Sequence, residues 1–495
     1  MESHLPILVV LVPLLAAPVC LMLRHRALVT GFAIAVTWVT FATSVLLMLR
    51  VLEQGILSYE LGGWPPPWGI EYRIDLLNAF VLILVAGIGA IVATWSPASI
   101  SVELPRYRRH YLFYTAYLLC LTGLLGIAAT GDLFNVFVFL EISALSSYVL
   151  ISMGQDRRAL TSAYQYLIMG TLGATFILIG IGLLYMMTGT LNMADMAVQL
   201  EAVRDTRTVL VAFGFFVVGI SVKMALFPLH LWLPNAYAYA PSVVTAFIAA
   251  TATKVSVYIL LRFFLTVFGY EFAFESMQLW VFLMPLALVG IVTASLVAIF
   301  QNNIKRMLAY SSVAQIGYMV LGISFASVNG LTGGIVHLFN HGLMKCALFL
   351  AMGCIVMRCG SVHIDELRGL GRRMPWTMAA FVAGGLSLIG VPLTVGFISK
   401  WYLVLAALEQ GLWPVAAVVL FSSLLAAVYI WRVVEVAYFD EPQAGDGEGA
   451  VTEAPLSLLL PMWALVIAIF YFGTSTEVTA GIARMAAESL LGISP

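Results

Sequence analysis

Apolar segments of about twenty residues recur along the whole chain and are separated by short polar connectors. A helix that crosses the hydrocarbon core of a bilayer needs about 20 residues, and fourteen segments meet that requirement. They cover residues 5–23, 28–49, 75–95, 111–129, 132–152, 162–187, 208–228, 242–263, 279–300, 307–326, 331–357, 376–398, 412–437 and 456–473. The pattern therefore predicts an all-α polytopic membrane protein with about 14 transmembrane helices.

Proline interrupts two of the predicted spans. Pro228 follows Lys223 in the seventh span, and Pro392 lies in the twelfth, eight residues before Lys400. A proline in a helix removes a backbone donor and leaves a carbonyl without its partner, and at membrane depth protein or water must satisfy that carbonyl. Transporters place such discontinuous helices at matching positions of two internal repeats, beside the ion path. A simple proline kink is the alternative interpretation of each.

Two repeats of five spans each follow from these positions, and an odd number of spans per repeat makes the second copy inverted. We expect N-terminal helices 1 to 3 in residues 1–110, the first repeat in 111–263, the second in 264–437, and an acidic loop with the last span in 438–495. The acidic, glycine-rich stretch at 440–453 is typical of a mobile, solvated connector. Nothing between the spans is long enough to hold a nucleotide-binding domain.

Composition supports the membrane assignment and excludes several functions. Of the 495 residues, 62% are hydrophobic and 10% are charged, with a mean hydropathy of +1.01, far from the roughly 25% charged residues of soluble domains. The net charge of −1 gives no indication of nucleic-acid binding. The five cysteines lack the spacing of a zinc or iron–sulfur site, and we expect no cofactor and no metal. The N-terminus has no basic region before its apolar run, which favours a retained first span over a signal peptide.

Loop charge predicts the orientation. Of the 24 Lys and Arg residues, fourteen follow odd-numbered spans, among them Lys305 in what we interpret as a polar loop. Six lie on the opposite side, including Arg262. Cytoplasmic loops are enriched in these residues, so the odd-numbered loops are predicted to be cytoplasmic and both termini to lie on the outer side of a plasma (inner) membrane.

The other four lysines, Lys223, Lys254, Lys345 and Lys400, lie inside long apolar stretches, where acidic residues are almost absent apart from Glu141. A lysine at the bilayer centre costs about 2.5 to 3.5 kcal/mol on insertion scales. The presence of four such lysines in spite of this cost indicates that they move charge or protons.

Glu141, near the centre of the fifth span, is predicted to pair with Lys223 at the broken seventh span, because a nearby ammonium favours the charged carboxylate. Lys254, in the middle of the eighth span, is placed to alternate between proton donor and acceptor. Snorkelling to an interface is the alternative for any such lysine. For Lys345 the two interpretations stay equally open.

His337, His341 and Lys345 follow one another at four-residue intervals on the eleventh span. This spacing places them on one helix face, along about 12 Å of the helix. A proton path is the favoured interpretation, with a structural polar stripe and a metal site as alternatives, although no third-ligand motif accompanies the two histidines. Lys400, after the second break, is placed to end the path, and His230, Asp132 and several Ser and Thr residues could hydrogen-bond water along it.

These motifs resemble those of a known family over nearly the whole chain. The segments LFNVFVFLEISALSSY, SVKMALFPLHLWLPNAYAYAPS, ATKVSVYILLR, HLFNHGLMKCALFL and GVPLTVGFISKW are similar to the antiporter-like membrane subunits of respiratory NADH:quinone oxidoreductase (complex I), membrane-bound hydrogenases and Mrp-type sodium/proton antiporters. Among these, the phrase around Glu141 looks most like the D-type subunit of the Mrp antiporters. Lys400 stands where the complex I subunit of similar size usually has glutamate.

The resemblance implies fourteen core helices, two inverted five-helix repeats and a central axis of proton-carrying residues. The family's functional positions fall on Glu141, Lys223, Lys254, His337, His341, Lys345 and Lys400. It implies a subunit of a hetero-oligomeric membrane complex that moves protons, with Na⁺ as the candidate counter-ion. The alternative is the proton-pumping subunit of a complex-I-like oxidoreductase or hydrogenase, in which partner subunits would hold any enzyme activity. A single-chain transporter of a small solute is the third hypothesis.

Overall fold

Helices dominate the structure, a computed structural model that describes residues 4–104, 109–441 and 451–493. Within these ranges thirteen helices are long and apolar enough to cross a membrane, and a fourteenth apolar helix is shorter. The all-α polytopic prediction is confirmed. Arg106, Arg108 and most of the 440–453 connector lie outside the described residues.

The chain begins with three long helices, of which the second and third are joined through a small hairpin that the sequence pattern did not predict. These elements are α1 (Leu5–Met22), α2 (Arg26–Gln54), β1 (Leu57–Glu60), β2 (Glu71–Ile74) and α3 (Leu76–Glu103). The two strands are antiparallel, with Leu57 opposite Ile74. The hairpin contacts the N-terminus, since His4 Nδ1 lies 3.0 Å from the Tyr59 hydroxyl.

The next two groups of helices contain the predicted repeats. The first group consists of α4 (His110–Ala129), α5 (Leu133–Ser152), α6 (Arg157–Thr188), α7 (Met193–Leu200), α8 (Arg207–Met224), α9 (Trp232–Tyr239) and α10 (Ser242–Leu261), which continues into a π-helical turn at Arg262–Val267. The second consists of α11 (Trp280–Ile299), α12 (Ile304–Ser324), α13 (Val328–Cys359), the single turn α14 (Leu370–Arg373), α15 (Pro375–Ile389), α16 (Val395–Glu409) and α17 (Trp413–Tyr438). Two further helices, α18 (Leu456–Thr474) and α19 (Glu477–Leu490), close the chain.

Packing follows the same order in both groups. In the first, α4 packs on α5, α5 on α6, and α6 on the broken pair α8 and α9; in the second, α11 packs on α12, α12 on α13, and α13 on the broken pair α15 and α16. The centre of the molecule lies where the groups meet, because α10 packs against α13 and 94% of the most apolar stretch of both α10 and α12 is buried. The exact division at residues 110, 263 and 437 stays a prediction.

Both predicted helix breaks are present. The seventh span ends at Met224, four residues before Pro228, and the twelfth is two helices separated by residues 390–394. Each break contains a non-glycine residue in the left-handed region, Ala225 (φ 59°) and Leu393 (φ 72°). Such residues cost on the order of 1–3 kcal/mol and cluster at functional sites; two of the four in the described ranges lie at these breaks.

The predicted twelfth span, 376–398, was wrong in its boundaries. Its first half stops at Ile389, and a new helix begins at Val395 and continues to Glu409, through residues that we interpreted as connector. The reason is the five-residue break, which lets the chain restart as a second helix rather than leave the membrane region.

Two basic residues that we counted with the loop charges are buried instead: Lys305, which we placed in a polar loop, and Arg262, at the end of the eighth predicted span. Arg262 continues α10 and is 6% exposed; its guanidinium donates to Asp75 Oδ1 and Asn78 Oδ1, both at 2.5 Å, and to the Tyr258 hydroxyl at 3.2 Å. Lys305 lies in the first turn of α12 and is 4% exposed. Counting charge by position along the chain cannot distinguish such groups from solvated loop residues.

Gly396 permits the close crossing of the two halves of the twelfth span. A Cβ at this position would overlap the backbone carbonyl oxygen of Ser387, which cannot move aside as a flexible side chain can. We expect Gly396→Ala to lower the amount of folded protein in the membrane severely, because overpacking alone costs about 1–3 kcal/mol and backbone overlap costs more. Detergent-solubilised fluorescence size-exclusion chromatography would measure this, with Gly214→Ala as the control because a Cβ there meets nothing within 4 Å. Equal recovery of both variants would contradict the expectation.

Candidate functional site

Glu141 and Lys223 form an ion pair at the first break. Glu141 lies near the middle of α5, and Lys223 is in the last turn of α8, with 3.7 Å between Lys223 Nζ and Glu141 Oε1. Charge-assisted N–H···O bonds are about 2.7–2.9 Å long, and Glu141 Oε1 makes no hydrogen bond within the described residues. The two groups therefore attract each other electrostatically without a hydrogen bond between Lys223 Nζ and Glu141 Oε1.

The break itself favours an ammonium at this position. The last carbonyls of a helix have no intrahelical partner and form the negative end of its dipole, and Lys223 immediately precedes the last residue of α8. Trp232, from α9, donates its indole N–H to the Val222 carbonyl at 3.0 Å and stacks on Tyr166 at 4.0 Å. These contacts fix the two half-helices relative to α6.

A small polar cavity adjoins Lys223 between α5 and α10. Its open volume is about 20 Å³, and a cavity of about 10–15 Å³ or more can hold one water molecule when polar groups line it. The polar groups here are Ser143, Ser147, Tyr166, Lys223 and Ser256. The cavity extends from Lys223 to α10 and is large enough for one water molecule.

Lys254 lies on α10 and is fully buried. Its ammonium donates to the Ala249 carbonyl and to the Thr253 hydroxyl, the latter at 3.3 Å. No carboxylate lies within ion-pair distance of it in the described part of the chain. An unpaired ammonium in this environment is costly, which favours exchange of its proton with a neighbour.

The three residues of α13 predicted to share a face do so, and we call them the α13 stripe: His337, His341 and Lys345. All three are fully buried, and the two imidazole rings stack with centroids 6.0 Å apart. His337 Nδ1 lies 2.7 Å from the Ser399 hydroxyl, whereas neither nitrogen of His341 has a partner in the described residues. The stripe thus has hydrogen-bonded ends and a free imidazole at its centre.

Lys345 does not reach a membrane interface. Its ammonium donates to the Leu308 carbonyl at 2.7 Å and to the Ser311 hydroxyl, both on α12. The snorkelling interpretation needs an exposed ammonium, and this side chain has 0% exposure. Its role in transport stays a prediction.

Lys400 occupies the second break as Lys223 occupies the first. It extends from α16 back to the C-terminal end of α15, where its ammonium donates to the carbonyls of Leu388 at 3.2 Å and Ile389 at 2.8 Å. Ser423, on α17, accepts a further bond at 2.9 Å. Lys400 thus partners the last carbonyls of the first half-helix at the second break, whereas Lys223 lies in the last turn of the helix that precedes the first break.

Tyr318 connects Lys400 with the α13 stripe. The Lys400 ammonium lies 4.9 Å from the centre of the Tyr318 ring, and the Tyr318 and His337 rings form an edge-to-face pair with their centroids 5.5 Å apart. Ser399, next to Lys400 in the sequence, bonds His337 directly. Sequence reasoning missed Tyr318, Ser399 and Ser423; the adjacency of Ser399 to Lys400 was the one available signal.

Two large cavities open at opposite ends of the helices. One, of about 620 Å³, is lined by loops that follow odd-numbered spans, and we call it the inner vestibule; its charged lining residues are Glu103, Asp156, Arg158, Lys305, Arg306 and His363. The other, of about 610 Å³, is lined by loops after even-numbered spans and by the C-terminal Ser489–Gly492 region, and we call it the outer vestibule. The Arg262–Asp75 pair lines the outer vestibule. The names follow the predicted orientation, in which both termini lie on the outer side.

No cluster of three or more His, Cys, Asp or Glu side chains in the described ranges is arranged to hold a metal ion. His337 bonds the Ser399 hydroxyl, and its ring stacks in parallel on that of His341.

Known proteins match this chain over the region that contains the candidate site. The family described as "NADH:quinone oxidoreductase/Mrp antiporter, TM" matches residues 130–426, which contain all seven predicted site residues. The chain is 44% identical to the N-type subunit of NADH-quinone oxidoreductase from Desulforudis audaxviator, over 96% of this chain and 97% of the relative. It is 31% identical to the D-type subunit of the Na(+)/H(+) antiporter from Alkalihalophilus pseudofirmus, over 99% and 97%.

A solved structure, the Mrp complex from Dietzia sp. DQ12-45-1b, contains a chain that superposes with a TM-score of 0.90 at 27% identity, covering 99% of this chain and 97% of that one. The match includes the three N-terminal helices and the two terminal ones, beyond the region of the family match. On these grounds the chain belongs to the family of membrane subunits shared by NADH:quinone oxidoreductases and Mrp antiporters.

Proposed function

We propose that this chain translocates protons along its buried ionisable groups as one subunit of a multisubunit cation/proton antiporter, with Na⁺ as the counter-ion. The observation that carries the proposal is the matching pair of broken helices. Lys223 lies in the last turn of the first half-helix at one break, and the Lys400 ammonium bonds the last carbonyls of the first half-helix at the other. The fully buried Lys254 and α13 stripe lie on the two central helices between them. The site residues are Glu141, Lys223, Lys254, His337, His341, Lys345 and Lys400.

The Glu141–Lys223 pair acts as the control at one end of this path. While the carboxylate is close, the ammonium of Lys223 keeps its proton, because an opposite charge favours the charged form. When the pair separates, Lys223 donates through the adjoining cavity and α10 to the neutral amine of Lys254. This transfer moves one proton from an ammonium to an amine and leaves the total charge unchanged.

Lys254 then donates to the α13 stripe, where His341 accepts at one ring nitrogen as the other releases its proton. His337 passes the proton through the Ser399 hydroxyl to Lys400, 2.7 Å separating His337 Nδ1 from Ser399 Oγ. Lys400 exchanges protons with the opposite side of the membrane. Lys345 is the other end of the α13 stripe, and its hydrogen bond to the Leu308 carbonyl connects that end with α12.

A redox-driven complex is the second candidate, and the relative with 44% identity supports it, since that protein is named as a subunit of NADH-quinone oxidoreductase. In that case the same path would pump protons with energy supplied by partner subunits. Both candidates place the chain among other membrane subunits in a plasma or inner membrane.

Flux measurements in everted vesicles that contain the whole complex, expressed with its neighbouring genes, separate the two candidates. Under the antiporter proposal, addition of NaCl to respiring vesicles is expected to collapse the pH gradient, whereas choline chloride is not. A gradient that is insensitive to Na⁺, K⁺ and Li⁺ but is built on addition of an electron donor and lost on deletion of this gene would contradict the antiporter proposal and support the redox-driven complex.

A further inference from the structure

Lys305 is a buried cation that the proposed path does not use. It lies in the first turn of α12 with 4% exposure, and its ammonium makes one hydrogen bond within the described residues, to the Ala240 carbonyl at 3.1 Å. No carboxylate lies within ion-pair distance of it in that part of the chain. Structural lysines of soluble proteins are seldom buried without a charged partner, which calls for another explanation.

The inner vestibule gives Lys305 access to water. Lys305 lines this cavity of about 620 Å³, together with the titratable or charged groups that face it: Glu103 at the end of α3, Asp156 and Arg158 at the start of α6, the neighbouring Arg306, and His363 after α13. Glu103 is already engaged, since it accepts from the Ser99 hydroxyl at 2.6 Å and from the Ser242 backbone N–H at 2.8 Å. Asp156 is engaged by Arg158 at 2.7 Å. Lys305 is thus a buried titratable group at this cavity with no carboxylate within ion-pair distance among the described residues, and the Glu103 carboxylate acts on it only at longer range.

One turn of α12 separates Lys305 from the contacts of Lys345. Lys345 donates to the Leu308 carbonyl at 2.7 Å and to the Ser311 hydroxyl, and Leu308 follows Lys305 by three residues. Residues three apart lie on one helix face with a rise of about 4.5 Å. Lys305 therefore lies between the inner vestibule and the contacts of Lys345, about one turn of α12 before the Leu308 carbonyl that Lys345 bonds.

We propose that Lys305 is a proton-carrying residue that connects the inner vestibule with Lys345. Lys305 takes a proton from water in the vestibule and, when its bond to the Ala240 carbonyl opens, donates it along α12 towards the Lys345 amine; the reverse transfer uses the same groups. This proposal rests on the proposed function, and it makes Lys345 the residue of the α13 stripe that exchanges protons with the inner vestibule.

A purely structural role is the competing explanation. Ala240 lies in the elbow between α9 and α10, and Lys305 would then serve only to hold that elbow against α12. The two explanations differ in what an arginine does. Arginine keeps the charge and the donors but does not release its proton in proteins.

The test compares Lys305→Arg and Lys305→Met in the whole complex, with proton flux measured in everted vesicles and scaled to assembled protein. We expect both variants to lose roughly 100-fold in flux, the size of a lost proton-transfer group. Arg432→Lys is the control, because Arg432 also bonds backbone carbonyls between elements, at Ile299 and Gln301, but lies outside the path. Flux at the wild-type level in Lys305→Arg, with a loss in Lys305→Met alone, would overturn the proposal in favour of the elbow contact.

Should the larger arginine prevent assembly, Lys305→His replaces it. Histidine titrates near pH 6.5, and its flux is expected to fall as the pH rises above that value, while the wild-type protein keeps its flux there. A His variant with the wild-type pH profile would overturn the proposal. If only the role of Lys305 is wrong, Lys254→Arg still loses flux. If the proposed function itself is wrong, Lys254→Arg also leaves the flux unchanged.

Discussion

Replacement of Lys254 by arginine is expected to stop proton translocation while the complex still assembles. The ammonium of Lys254 is fully buried at the centre of α10, bonded only to the Ala249 carbonyl and the Thr253 hydroxyl among the described residues. A guanidinium keeps the positive charge and can bond the same oxygens, but it remains protonated at any pH the membrane withstands. A relay that needs a neutral amine as acceptor is therefore blocked, and we expect the flux to fall about 100-fold or more.

The pH gradient in everted vesicles, followed with a fluorescent amine and scaled to assembled complex, measures this effect. Lys254→Met should lose flux equally, because it removes both the charge and the proton. Wild-type flux in Lys254→Arg together with a loss in Lys254→Met would show that Lys254 acts as a fixed charge, and the proposed relay through α10 would then be wrong.

Replacement of Glu141 by glutamine is expected to abolish coupled transport as well. Glutamine matches the shape of glutamate but carries no charge, which removes the attraction across the 3.7 Å between Glu141 Oε1 and Lys223 Nζ. A buried ammonium that loses its carboxylate partner is destabilised by about 3–5 kcal/mol if it stays charged, and its proton is released instead. The side chain of Glu141 is 25% exposed, which places the cost at the lower end and is consistent with continued assembly.

Glu409→Gln is the matched control for this variant. Glu409 ends α16, and its carboxylate accepts two bonds from the Asn329 amide, at 2.8 and 2.9 Å, far from the buried path. The same chemical change should leave the flux unaltered there. A similar loss in both variants would indicate a general effect on assembly and contradict the specific role of Glu141.

The sequence was sufficient to predict the helices and both breaks because these depend on local chemistry. An apolar run of about 20 residues has few alternatives to a membrane helix, and Pro228 and Pro392 remove donors wherever they occur. The partnership of Glu141 with Lys223 was also predictable, since very few carboxylates are available at that depth. The common face of His337, His341 and Lys345 followed from helical periodicity alone.

Contacts between distant parts of the chain could not be predicted in this way. Ser399 and Ser311 bond His337 and Lys345 from helices 62 and 34 residues away, and nothing in local periodicity selects those serines. Lys305 and Arg262 were misplaced for a related reason: a charge at the end of an apolar segment is equally compatible with solvent and with burial against another helix. The hairpin β1–β2 was missed because its strands have four residues each.

Control of proton flow by the Glu141–Lys223 pair, acting as a unit, is the centre of the proposed mechanism, and a double-mutant comparison of flux tests it most directly. Proton flux would be measured in everted vesicles for Glu141→Gln, Lys223→Met and the double variant, each scaled to assembled complex. Groups that act as a unit give strongly non-additive effects, and we expect each single variant to lose nearly all flux and the double variant to lose no more. Wild-type flux in either single variant would contradict the mechanism.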